Sequence, residues 1–407
     1  MSITEKPINL PLPVSKIQAD DFQTAEVITV AGAHGAHDTY FSFLPTILPL
    51  LIEKFSLSTA QAGFLTAFSQ IPNLLQPLIG LLADRKNLKM LVVLAPALSG
   101  CLITLMGVAP NYGTVALLLL LAGFSTAGFH AIAPGMVGAH SGRKVGRGMG
   151  FFMVGGELGF SIGPLLVVAT IGYLTLRGLP WLMVLGLLAS FILFFRLRQV
   201  STVRLIENKS SLPVRQVLAE LPPLLLPIIS TVFITGFLTA NVVNYLPTFM
   251  AREGAAFSLA GASLSVVEIS ATVGVLLMGF VSDRLGHRNV AILGIVASVV
   301  FSLGFLWTQG WLQILMLVGV GLTIFVPNPA FLAILQTRFQ YNRSLVNGMY
   351  MSSSFILRSL AVVIVGFLAD HYGMRSVFAW SAAASLLAVP MMLFLPTHPP
   401  ETHRSQG

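Results

Sequence analysis

"FLPTILPLLIEKFSLSTA" at residues 43–60 and "YLPTFMAREGAAFSLAGA" at 245–262 carry LPT and FSL in register, at an offset of 202. The relation continues along the chain. "GLLADRKNLK" (80–89) returns as "GFVSDRLGHR" (279–288) at an offset of 199, and Arg143 with Gly148-Met149 returns as Arg343 with Gly348-Met349 at 200. Three matches near one offset imply two homologous halves. Between them "RLRQVSTVRLIENKSSLPVRQ", the longest interior polar stretch, reads as a linker.

The 407 residues are 55% hydrophobic and 9% charged, with a mean hydropathy of +0.84. A soluble domain carries about 25% charged residues, so most of this surface is built for lipid. Apolar runs long enough to cross a hydrocarbon core of roughly 30 Å recur throughout. They give twelve spans at about 26–51, 59–82, 89–109, 112–138, 148–172, 178–196, 222–249, 258–281, 289–307, 310–335, 346–369 and 373–395. "VALLLLLAGF" lacks the period-two alternation of a barrel strand, so the fold is all-α. The expected organisation is an N-terminal segment 1–25, a six-helix bundle 26–196, a linker 197–221, a second bundle 222–395 and a tail 396–407. Asp20 and Asp21 stand where a signal peptide would need an apolar core, so no cleaved signal is expected. Cys101, the single cysteine, excludes an internal disulfide and a cysteine-based metal cluster.

Of the 23 Lys and Arg, only Lys54, Arg177, Arg252 and Arg375 fall on the side opposite the termini and Arg358 falls inside a span. The remainder follow the positive-inside rule if both termini are cytoplasmic. The net charge of +8 is thus a topology signal, and no nucleic-acid partner is needed to explain it. Short loops fit a bacterial inner membrane, and one chain holding both halves suffices as a monomer.

Gly80, Asp84, Arg85 and Lys89, repeated as Gly279, Asp283, Arg284 and Arg288, resemble the loop motif of the major facilitator superfamily. An aspartate at a helix end among basic residues and helix termini can latch one conformation and release in the other; alternatively these charges only mark topology. "HGAHDTYFSFLPTILPLL", "GFHAIAPGMVGAHSGRKVGRGMGFF" and "VGGELGFSIGPLL" further resemble its fosmidomycin-resistance branch. The chain departs from that branch where Ala131 replaces a usual proline, where Glu157 replaces a common asparagine, and from the loop motif at Asn87. The resemblance implies two pseudo-symmetric six-helix bundles that rock about a central cavity, as repeat transporters do. It also suggests that "GGELGFSIGP" (155–164) lies at the seam between bundles, where small residues allow close approach. Plain helix packing explains the same glycines.

At 1.5 Å per residue, Asp38 lies roughly 18 Å into its span, and Glu157, Glu268 and Arg358 about 14, 15 and 18 Å into theirs. Each ionised group near the midplane costs about 2.5–3.5 kcal/mol. Four would cost a sum comparable to a whole protein's stability, so they must be paired, neutralised or wet. His34, His37 and Asp38 share one side of the first helix, and His130 can reach the same space from the fourth span. Three readings stand: a site that binds and releases a proton, a structural hydrogen-bond network, or a metal site. The near 100° between adjacent His37 and Asp38 makes a tight metal tetrahedron awkward, and no metal or cofactor is expected. The second half has no copy of the cluster, since its equivalents are Gly236, Thr239 and Ala240.

Asn241 and Asn244 offer neutral hydrogen bonds there instead, with Phe68, Gln70, Asn73, Gln76 and Asn328 as further candidates for the cavity or seam. Glu268 and Arg358 form either a buried ion pair or, for Arg358, a site for an anionic substrate. Glu157 is either a second proton carrier or a gate partner. With no Walker A pattern and no nucleophile motif, an enzyme is not expected. The expected function is a proton-coupled exporter of a small organic solute, with a proton symporter importing an anion, or a transporter-like sensor, as alternatives.

Overall fold

The computed structural model describes residues 22–83, 86–141, 144–198, 214–339 and 343–395. All twelve expected spans are helical, with no strand among the described residues. Ten are long and apolar enough to cross a membrane unaided, from Lys89–Val108 to Met374–Met392. The first two are interrupted. The first runs as Thr24–Phe41 and Phe43–Phe55, with a turn at Ser42. The second runs as Thr59–Gln70, a tighter 3-10 stretch Ile71–Leu75 containing Pro72, and Gln76–Ala83. Its start is sharply specified: Ser58 Oγ accepts from the Gln61 amide at 3.1 Å, and Gln61 Oε1 accepts from the Ser58 amide at 2.9 Å. That reciprocal cap satisfies two donors a bare helix end leaves orphaned. The tenth span stops near Phe325 and restarts at Pro327, as proline at a first helical turn permits.

Most of the 197–221 linker lies outside the described residues. Its last part is a short helix, Val214–Glu220; Val217 of that helix and Leu221 just after it are buried in the second bundle's core.

Three apolar cores show how the bundles meet. One joins Phe43, Ile47 and Leu65 of the first half to Tyr245, Phe249 and Val362 of the second, at the end of the molecule away from the termini. Toward the termini the cores are separate: Val30, Val92 and Phe129 in the first bundle, Ile295, Phe331 and Tyr350 in the second. The halves therefore share one apolar core at the far end and keep separate cores at the near end.

Polar contacts reinforce the far-end closure. Asp370, at the end of the eleventh span, accepts from the amides of Thr59 (2.7 Å) and Ala60 (2.9 Å) in the first turn of the second span. A carboxylate there meets both orphan donors and the positive end of the helix dipole. Tyr245 Oη donates toward Thr59 O (3.2 Å) and Val362 O (3.0 Å), and Arg252 Nη2 donates to Thr59 Oγ1 (3.1 Å). Gly63 and Gly366 make room for this, since a Cβ at Gly63 would lie 3.1 Å from Val362 O and one at Gly366 would lie 2.6 Å from Thr59 O. Asp370→Ala removes two charge-assisted bonds, each worth about 1.5–3 kcal/mol. A cysteine at Val362, buried in this state, should then react with a maleimide at least about tenfold faster (about 1.4 kcal/mol) in a Cys101→Ser background. An unchanged labelling rate would show that the apolar core alone holds the far end shut.

The loop motif acts within each bundle where it can be followed. Asp84 and Arg85 lie outside the described residues, as do the side chains of Asp283 and Arg284. Lys89 Nζ donates to Arg198 O (2.6 Å) at the end of the sixth span. Its repeat Arg288 donates to Leu395 O (3.2 Å) at the end of the twelfth. Both place a cation on the carbonyl end of a helix, the favourable sign of the dipole. A Cβ at Gly80 would meet nothing within 4 Å, so space does not demand glycine there.

Candidate functional site

The first span presses its backbone onto the fifth. A Cβ at Gly155 would overlap the Ala31 carbonyl, one at Gly159 would overlap that of Gly35, and one at Gly163 that of Thr39. The glycines of 155–164 therefore make their close approach inside the first bundle, while the span that carries them also packs on the eighth span across the seam. Contacts this close leave the short first-span turn carrying His34, His37 and Asp38 wedged among the third, fourth and fifth spans. Gly156 matters separately, because a Cβ there would stand 2.5 Å from the His34 ring.

Sequence reasoning brought His34, His37, Asp38 and His130 together, and the structure does the same. His34 Nε2 lies 3.0 Å from Asp38 Oδ2, His130 Nε2 lies 3.8 Å from Asp38 Oδ1, and the two Nε2 atoms lie 3.3 Å apart. The opposite ring nitrogens fix the protonation pattern. His34 Nδ1 is 2.7 Å from Phe152 O and His130 Nδ1 is 3.2 Å from Thr126 O. A carbonyl only accepts, so both Nδ1 atoms carry hydrogen. In the neutral rings both Nε2 atoms are then bare lone pairs. Two lone pairs and a carboxylate converge on one point, and only a hydrogen ion or another cation between them satisfies all three. The three donors lie within 4.8 Å of one another, a spacing that a divalent cation could also use.

His37 belongs to a different environment. It is fully buried, with Asp38 4.0 Å away. Its Nδ1 meets Ser99 Oγ at 3.1 Å, its Nε2 meets Thr126 Oγ1 at 3.3 Å, and its ring stacks on Phe129 at 4.7 Å. Ser99 continues to Ser125 at 3.2 Å, which donates to Ala95 O. His37 is thus a satisfied core histidine. His34 is also clamped, stacked on Phe152 at 3.9 Å, whereas the His130 side chain keeps 25% exposure and is the cluster's opening to its surroundings.

Glu157 is half-buried on the fifth span, next to the glycine that receives His34, and its charge acts on both His34 and Asp38. Across the seam it also acts on Glu268, which is buried on the eighth span. The carboxylates thus extend from the first bundle into the second. The expected Glu268–Arg358 ion pair is not formed: among the described residues no carboxylate lies within 4.0 Å of Arg358, whose Nη2 donates instead to Asn328 Oδ1 (3.0 Å). Asn241 donates to Phe237 O (2.9 Å) and Ser381 Oγ (3.0 Å), bonds that lie within the second bundle. Asn244 sits half-buried in a wide helical turn, Ala240–Tyr245. Asp370, Tyr245, Arg252 and Thr59 were not singled out from sequence; a carboxylate at a span end carries no local mark of a partner 311 residues away.

The model of the Major Facilitator Superfamily matches residues 30–362 and 228–407. The fosmidomycin resistance protein of Escherichia coli K12 is 26% identical over 399 residues, covering 95% of this chain and 97% of that one. Multidrug resistance protein MdtG of Salmonella paratyphi C is 26% identical over 368 residues, covering 85% and 89%. Among solved structures, the nucleoside transporter NupG superposes with a TM-score of 0.72 at 16% identity, covering 91% of this chain and 98% of its own. A D-xylose-proton symporter gives 0.73 at 14%, covering 92% and 98%. The family match spans the chain and the twelve helices have the fold of these transporters, so the chain belongs to the major facilitator superfamily and is a multi-pass membrane transporter, not an enzyme.

Proposed function

We propose that the protein is a proton-coupled exporter of a small organic solute, working by alternating access. The observation that carries this is the convergence of His34 Nε2, His130 Nε2 and Asp38 on one point with both Nδ1 atoms already committed to carbonyls. Such a site holds a proton in one state and yields it when a neighbouring charge or the geometry changes. The interaction of Glu157 with this site and with Glu268 of the other bundle supports a role for both as that neighbouring charge. With both termini cytoplasmic, the end clamped by Asp370 faces outward, and the separate near-end cores belong to the half that parts toward the cytoplasm. The similarity to fosmidomycin and multidrug resistance proteins supports the outward direction in this reading. Export across a bacterial cytoplasmic membrane by a monomer accords with this.

The test uses everted vesicles holding an acidic interior, reported by a pH-quenched dye, with EDTA present throughout. Fosmidomycin and other small anionic or drug-like solutes are added one at a time. The expected result is proton release on addition of at least one of them, absent from vesicles lacking the protein. Solute accumulation without proton movement would remove the coupling; solute movement only in the opposite direction would leave an anion symporter.

A further inference from the structure

Arg358 has an unused charge in the middle of the eleventh span. Ile356, Leu360 and Phe367 expose about half of their surface and mark the lipid face of that helix. Arg358, two residues from Ile356, points about 200° away from it. Arg358, half-exposed, therefore turns its guanidinium to the interior, a cation with five donors in a planar fork. Asn328 takes one of its five donors and no carboxylate compensates it among the described residues.

The second span lies opposite. Thr59 meets Gly366 and Gly63 meets Val362, so these antiparallel helices bring residues 67–70 level with Arg358. Gln70 is seven residues beyond Gly63, within about 20° of the same face and about 4.5 Å along the axis from the level of Arg358. From there an amide ladder descends: Asn73 Nδ2 donates to Gln70 Oε1 (2.7 Å) and Gln76 Nε2 donates to Asn73 Oδ1 (3.1 Å). Because the ladder occupies the Gln70 oxygen, the Gln70 N–H groups are its free end, about one helical turn from the level of the guanidinium.

We propose that this seam binds the anionic head of the transported solute, a carboxylate, phosphonate or phosphate. Arg358 grips it through two parallel N–H donors, Asn328 orients the guanidinium, and Gln70 donates from the other bundle. The proposal rests on the transporter reading above and adds the chemical class of its substrate. A head group held by both bundles, just inside the far-end clamp, stabilises their association in this state.

The full-length protein in detergent, at constant ionic strength, is titrated with methylphosphonate and with inorganic phosphate while its melting temperature is followed. Tetramethylammonium chloride is the control. Wild type should show a saturable rise with both anions and none with the cation. Arg358→Gln should weaken the apparent affinity at least tenfold, and Arg358→Lys, which keeps the charge but loses the paired donors, at least threefold. If Arg358→Gln does not fold, Arg358→Lys and Gln70→Leu carry the test. No saturable rise, or equal rises in wild type and the Arg358 variants, overturns the proposal. Proton release driven by uncharged solutes alongside that negative result would leave the transporter reading intact.

Discussion

Asp38→Asn is expected to abolish solute-driven proton release, at least about tenfold below wild type (about 1.4 kcal/mol), without loss of folded protein. The reason is a substitution of donors. In wild type Asp38 Oδ2 and the bare His34 Nε2, 3.0 Å apart, both accept, and a hydrogen ion has to join them. An asparagine amide of the same shape carries its own N–H, which can donate to His34 Nε2 permanently. The contact between His34 and the new amide is then satisfied without a shared hydrogen ion, so that contact no longer obliges the site to take one up or release it. Melting temperature in detergent should stay level or rise, because a buried charge has been exchanged for a hydrogen-bonded neutral group. Proton release assayed in vesicles, beside the melting curve, checks both statements. Wild-type release with a lowered melting temperature would make Asp38 a structural residue and pass the coupling role to Glu157 or Glu268. His37→Gln separates the core histidine from the site: it should cost stability and spare the coupling.

Gly159→Leu is expected to leave little folded protein. A Cβ at this position would collide with the carbonyl oxygen of Gly35 and stand 3.0 Å from its Cα. That is backbone against backbone, with no flexible side chain to move aside. Overpacking costs about 1–3 kcal/mol where side chains can adjust, so this contact should reach the upper end of that range or exceed it. The first and fifth spans would be forced apart, and His34 would lose its seat on Phe152 and Gly156. Detergent-extracted yield and melting temperature provide the measurement. Gly172→Ala is the control, because nothing lies within 4 Å of its would-be Cβ and alanine favours a helix by about 0.5–1 kcal/mol. Equal yields for both variants would show that the seam between these spans is soft.

The fold was legible because lipid imposes a strong pattern: long apolar runs, a charge bias between loops, and an LPT–FSL repeat that marks the halves. The His–Asp cluster was legible for the same reason, since ionisable groups in mid-span stand out. Separating its members was not. His34 and His37 look alike in the chain, and only the packing of Phe129, Ser99 and Thr126 around one ring makes it inert. The Glu268–Arg358 pairing failed because opposite charges at similar depth suggest each other whatever face they occupy, and Asn328 claimed the guanidinium. The clamp was invisible because half of it is backbone: Asp370 binds the amides of Thr59 and Ala60, and any residues but proline there would present the same groups.

The broken second span records something about descent. The offset between the halves drops from 202 at the FSL triplet to 199 at the Asp-Arg pair, so this span has three more residues than its counterpart. The eighth span is one unbroken helix, Phe257–Leu285, and the second is the one interrupted at Ile71–Leu75. After the ancestral gene doubled, one copy gained three residues or the other lost them, and the tightened stretch is where the difference in register is absorbed. Gln70, Asn73 and Gln76 sit in and around that stretch, so the amide ladder has no twin in the other half. A protein assembled from two copies of the second half would keep the bundle architecture and lack the polar face that now meets Arg358.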